Sequence, residues 1–155
     1  MKRLNVALFS VGLLLACVTH PLHAQRAHIG PHFGYNFDMD RALIGAHMLL
    51  PLSEDVELYP SFDYYLGNGG VSLFGLSGDL KFRVPSGYGS DFYLGGGVDY
   101  QNASAGGVSS GDTGWDLLFG FESRRGAAHP FLEGRILGHG STSFQIGAGL
   151  NFTIF

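Results

Sequence analysis

Ser143-Phe-Gln-Ile-Gly-Ala-Gly-Leu-Asn-Phe-Thr-Ile-Phe155 closes the chain and decides how the rest is read. Phe144, Ile146, Ala148, Leu150, Phe152 and Ile154 fall on one face. Gln145, Gly147, Gly149, Asn151 and Thr153 fall on the other. A period of two held over this length predicts a β-strand with one apolar and one polar face.

The same alternation recurs upstream. It predicts strands over 27–37, 42–50, 56–66, 72–84, 91–101, 115–124 and 129–137, which with the last segment makes eight. Turn-forming residues separate them, most clearly Gly67-Asn68-Gly69-Gly70. Residues 102–114, built from Gly, Ser and Ala with little else, read as the longest loop, and 138–142 as a shorter one. Pro31, Pro60 and Pro130 fall within predicted strands. Each removes a ladder hydrogen bond, so bulges or strand ends are expected there.

The start of the chain is read differently. Met1-Lys2-Arg3 is a positive start, Val6 to Val18 an apolar run, and Pro21-Leu22-His23-Ala24 a cleavage context before Gln25. This predicts a secretory signal peptide over 1–24 and a single domain over 25–155. Two other readings compete: a transmembrane anchor, for which the run is short, and a lipoprotein leader modified at Cys17, for which Leu15 fits poorly. Cys17 is the one cysteine, so the mature domain has no disulfide and no thiol chemistry. That domain carries 7 basic and 13 acidic residues, a net charge of −6, which argues against a nucleic-acid partner.

Only 14% of the chain is charged, where soluble proteins average about 25%. The charges are also segregated. No predicted strand carries Asp, Glu, Lys or Arg on its apolar face; the other face holds Glu57, Asp63, Asp79, Lys81, Arg83, Asp99, Asp116, Glu122, Arg124, Glu133 and Arg135 among glycines. A soluble lipocalin-like barrel would turn the apolar face inward, and a membrane barrel would turn it outward. Bulky Phe and Leu at nearly every apolar site are more than an eight-stranded lumen holds. Aromatic residues gather at strand ends: Tyr35, Phe37, Tyr64, Phe74, Tyr100 and Trp115 at one rim, Phe82, Phe92, Phe121 and Phe152 at the other. Such girdles sit at lipid headgroups. The expected fold is all-β, an eight-stranded antiparallel up-and-down transmembrane β-barrel, closed because lipid tolerates no unpaired edge.

The leader, the opening Gly30-Pro-His-Phe-Gly-Tyr-Asn36 and the closing Gly149-Leu-Asn-Phe-Thr-Ile-Phe155 resemble the small eight-stranded outer-membrane β-barrels of the OmpA-transmembrane, OmpX and Ail-like class. The resemblance implies an outer-membrane location, periplasmic termini, and outward loops at 38–41, 67–70, 102–114 and 138–142. It also implies outer-membrane lipids as partners, and a terminal Phe155 read by the barrel-assembly machinery.

Candidate chemistry is sparse. Pairing hairpins by turn length sets Glu57 near Lys81 and Asp91 near Arg124. Buried together, the inner charges read as a plug, and otherwise as the wall of a narrow pore. His32 and His47 are expected opposite each other across the first hairpin, too few for a metal site. His139-Gly140-Ser141 resembles the His-x-Ser of outer-membrane lipid A deacylases, but strand eight supplies no acidic partner. The reading assigns no catalytic residue, cofactor or metal. It leaves a structural or surface-interaction role with an unknown ligand.

Overall fold

The eight periodic segments form β1 (His28–Asn36), β2 (Arg41–Pro51), β3 (Val56–Tyr65), β4 (Val71–Pro85), β5 (Ser90–Ala105), β6 (Val108–Ser123), β7 (Ala128–His139) and β8 (Ser141–Thr153). The computed structural model describes residues 26–67, 70–87 and 89–154, so the leader and Phe155 lie outside the described residues. Each strand pairs antiparallel with the next, and β8 pairs with β1 to close the barrel. No helix occurs among the described residues.

The register defines the barrel's shape. From Pro51 on β2, pairing passes through Glu57, Lys81, Gly95, Leu118, Arg135, Gln145 and Asn36, then returns to β2 at Arg41, ten residues away. A shear of ten on eight strands gives a strand tilt of about 40° and a backbone radius of about 8 Å. That interior is narrow enough for side chains to fill.

Two sequence expectations fail here. The register does not shift at Pro31, Pro60 or Pro130, which lie opposite Ala46, Gly78 and Leu150, but the ladder on the other side of each, to β8, β2 and β6 respectively, has no pair at the proline. Pro130 is near the start of its strand, but Pro31 and Pro60 are interior and cause no bulge. Residues 102–114 are not a loop. β5 and β6 continue through them, Asn102 opposite Gly111 and Ala105 opposite Val108, and Gly106-Gly107 makes the turn. Both glycines have positive φ, 57° and 84°, as a two-residue hairpin turn of matching twist requires. Gly/Ser composition suggested a loop, but the cross-strand ladder overrides it. Likewise, 138–142 contains only a turn at Gly140 between two paired strands.

The β5–β6 hairpin therefore rises above the rest of the rim. β4 covers β5 as far as Ala105. The β6–β7 ladder begins only at Trp115 and Gly138, so residues 108–114 of β6 have no ladder partner on that side. Replacing 105–108 by a two-residue Asn-Gly turn should leave the barrel intact and shift stability by less than about 1 kcal/mol, because only the exposed tip of the ladder is lost. Urea unfolding of the two forms checks this.

Polarity is inverted relative to a water-soluble domain. Among the described residues, 26 large hydrophobic side chains are exposed and eight are buried. By the pairing register, the outward aromatics form two rings about 18 Å apart along the axis. Tyr35, Phe37, Tyr64, Phe74, Tyr100 and Trp115 lie in one; Phe82, Phe92, Phe121 and Phe152 lie in the other. Phe144, absent from the sequence assignment, joins the first ring and stacks on Phe37 at 5.8 Å. Phe92 and Phe121 meet edge to face at 5.2 Å.

Candidate functional site: the polar lumen

The inward faces carry long polar side chains among glycines and a few buried apolar residues, so charges on different strands meet across the axis. Glu57, Asp63, Asp79, Lys81, Asp99, Asp116, Glu122, Glu133 and Arg135 are buried; Arg83 and Arg124 sit nearer the end that carries both termini and are partly exposed. Most of them cluster around Lys81, Arg83 and Arg124 or around Arg135, and Ser77 links the second cluster to Asp99.

The first group lies at that end. Lys81 Nζ is 3.1 Å from Glu122 Oε2. Arg124 reaches Asp91 at 3.2 Å, Glu57 at 3.4 Å and Glu122 at 3.5 Å. Arg83 reaches Glu57 at 3.3 Å and Asp91 at 3.5 Å. Three cations thus face three carboxylates. The Asp91–Arg124 contact agrees with turn-length pairing. Glu57 and Lys81 are cross-strand neighbours, but Lys81 bonds Glu122 and Glu57 bonds the two arginines. The sequence could not show this, because these partners lie across the lumen rather than along the ladder. The Lys81 ammonium also sits 3.8 Å from the centre of the Tyr93 ring, a cation–π contact strengthened by burial.

Above this group, Leu49, Tyr59, Tyr93 and Leu118 form an apolar layer across the lumen. The sequence reading missed it because these residues share a face with the charges. The second group is built on Arg135. Its guanidinium lies 3.0 Å from Asp116, 3.2 Å from Glu133 and 3.3 Å from Asp79, and donates to Ser77 Oγ at 2.8 Å. Tyr93 donates to the other Glu133 oxygen at 3.1 Å. One cation here serves three carboxylates.

A third group joins four adjacent strands. His32 Nε2 lies 2.5 Å from Asp63 Oδ1, and His32 Nδ1 lies 3.0 Å from His47 Nδ1. His47 Nε2 lies 2.5 Å from Asn151 Oδ1. The two histidines are diagonal rather than directly opposite: His32 faces Gly45 and His47 faces Gly30. Among the described residues, no cluster of three or more His, Cys, Asp or Glu has the geometry to hold a metal.

At the opposite mouth, Asp99 Oδ1 lies 2.8 Å from His139 Nε2, and Asp99 accepts from Ser77 at 3.1 Å. A carboxylate therefore does reach His139, from β5 rather than from β8. Ser141 lies opposite His139 across the turn.

No known protein family matches this sequence, and no curated protein matches it. Solved structures do match in shape. The N-terminal β-barrel domain of Pseudomonas aeruginosa OprF aligns with a TM-score of 0.67 at 21% identity, over 83% of this chain and 96% of that one. Neisserial surface protein A aligns at 0.59 and 11% identity, over 83% and 95%. Ail, the attachment invasion locus protein of Yersinia pestis, aligns at 0.56 and 11% identity, over 83% and 97%. The chain therefore has the closed eight-stranded fold of the small outer-membrane β-barrels.

Proposed function

We propose that this protein is an integral outer-membrane β-barrel with periplasmic termini, a lumen closed by ion pairs, and a structural or surface-interaction role without catalysis. The observation that carries this reading is the inverted polarity. An unbroken apolar wall between two aromatic rings suits acyl chains, and it far exceeds the few hundred Å² of apolar patch a soluble monomer exposes. Cross-lumen pairs from five strands, with an apolar layer between them, support a closed interior. The projecting β5–β6 hairpin, with its unpaired β6 edge, supports a role at the outer surface. In this reading lipids are the partners along the wall, and the assembly machinery recognises the strand that ends at Phe155.

The test is membrane fractionation with a heat-modifiability gel, followed by planar-bilayer recording. The expected result is a membrane-bound protein whose gel mobility changes on boiling and which shows no steady conductance. A detergent-free monomer in buffer would end the membrane reading. Ion-selective openings altered by Glu57→Gln would replace the closed lumen with a narrow pore.

A further inference from the structure

Every neighbouring pair of strands but one is joined by a turn. The exception is β8–β1, where the barrel closes. That seam is built unevenly. Away from the termini it has five consecutive pairs, from His32–Gly149 to Asn36–Gln145. Beyond them Phe37 N donates to the Phe144 carbonyl at 3.0 Å, and Phe144 N donates to Asp38 Oδ2 at 2.7 Å. Toward the termini only Ile29–Phe152 and His28–Thr153 pair, followed by a bond from Ile154 N to the Ala27 carbonyl at 3.0 Å.

Pro31 divides the two stretches. The bonds of Phe37 and Ile154 set the phase of the ladder. Odd residues of β1 and even residues of β8 turn their backbone polar groups toward the seam, and the alternate residues turn toward β2 and β7. Pro31 holds a seam-facing position opposite Leu150 but has no N–H to donate, and no pair forms there. A Cβ on Gly30 would collide with the Leu150 carbonyl, so the missing side chain gives that carbonyl room to turn inward. The break at Pro60 has a different consequence. Residues 52–55 tie β2 to β3 just beyond it, and Leu52 N donates to the Val56 carbonyl at 2.8 Å. Nothing of that kind ties β1 to β8.

We infer that the terminal stretch of the seam is a strap: β1 and β8 part as far as Pro31 while the other end stays clasped. Side chains inside the lumen hold the strap shut. His47 of β2 reaches over Gly30 of β1 to Asn151 of β8, Nε2 to Oδ1 at 2.5 Å. His28 of β1 meets His129 of β7 across β8, with ring centres 5.2 Å apart. Each tie skips a strand and so bridges the seam. Behind the strap lies the ion group at this end, with His129 Nδ1 3.7 Å from Glu122. Parting opens the wall beside that group and leaves the Arg135 group enclosed.

Amide hydrogen exchange of the full barrel in detergent micelles, read by NMR, tests the strap. The Ile29 and Phe152 amides face the seam; those of Gly30 and Asn151, their neighbours at the same depth, face β2 and β7. Ile29 and Phe152 should exchange about tenfold faster than Gly30 and Asn151, because local opening breaks only the seam bonds. Past the hinge, Tyr35 and Ile146 should be as protected as Gly34 and Gly147. Pro31→Ala should slow Ile29 and Phe152 about tenfold, and Asn151→Ala should quicken them, with Tyr35 and Ile146 unchanged in both. Equal rates at Ile29, Gly30, Asn151 and Phe152 would overturn the strap, since ordinary fraying of chain ends frees both sides of a strand. Unchanged rates at Ile29 and Phe152 in either variant would do the same. If neither variant folds, the comparison within the wild-type barrel decides alone.

Discussion

Arg135→Met should be the most damaging single substitution in the lumen, costing about 3–5 kcal/mol, the range for breaking a buried ion pair from one side. Arg135 is 3% exposed and, among the described residues, is the one cation paired with Asp79, Asp116 and Glu133. Methionine fills much of the space but leaves three carboxylates facing one another in low dielectric. Arg83→Met is the comparison: Arg124 still reaches both Glu57 and Asp91 when Arg83 is gone, so the loss should be well under half as large. Adding Asp79→Asn and Glu133→Gln to Arg135→Met should recover much of the stability, because the uncompensated charge is the damage. Urea titration read by the gel shift of the folded barrel measures all three. Equal losses for Arg135→Met and Arg83→Met would show that the central group is not the anchor of the lumen.

The outer wall makes the second large prediction. Phe33 is 65% exposed at the middle of β1. Phe33→Arg should cost about 2–4 kcal/mol in a bilayer, the depth-dependent price of a cation at the midplane of a lipid-facing strand. In a barrel bathed by water the same change would be neutral or stabilising. Unfolding from lipid vesicles separates the two outcomes, and it does so without reference to the lumen. Arginine at Val108, 74% exposed on the projecting hairpin, should have almost no effect and serves as the control.

The two halves of the molecule were legible in the sequence to different degrees. Strand number and face assignment follow from a period of two, which Phe144 to Ile154 or Phe74 to Lys81 display without help from the fold. The extent of β5 and β6 does not, since Gly, Ser and Ala carry little strand preference of their own; pairing from Ala103–Ser110 to Ala105–Val108 holds them extended. Pro31 and Pro60 each cost one ladder its pair, as their missing N–H dictates, but the register is the same before and after the gap, so no bulge forms.

Which charges lie inside could be read from alternation alone, but which charge meets which could not. Ladder neighbours are set by turn length, whereas Lys81 and Glu122, or Arg135 and Asp79, are brought together by the circumference and shear of the closed barrel. The sequence by itself determined eight amphipathic strands and the segregation of charge to one face, because side-chain direction alternates with each residue whatever the strand packs against. Tertiary closure alone decided the ion-pair partners, the apolar layer at Leu49 and Tyr59, and the histidine row, because those contacts cross a lumen that exists only once β8 has met β1.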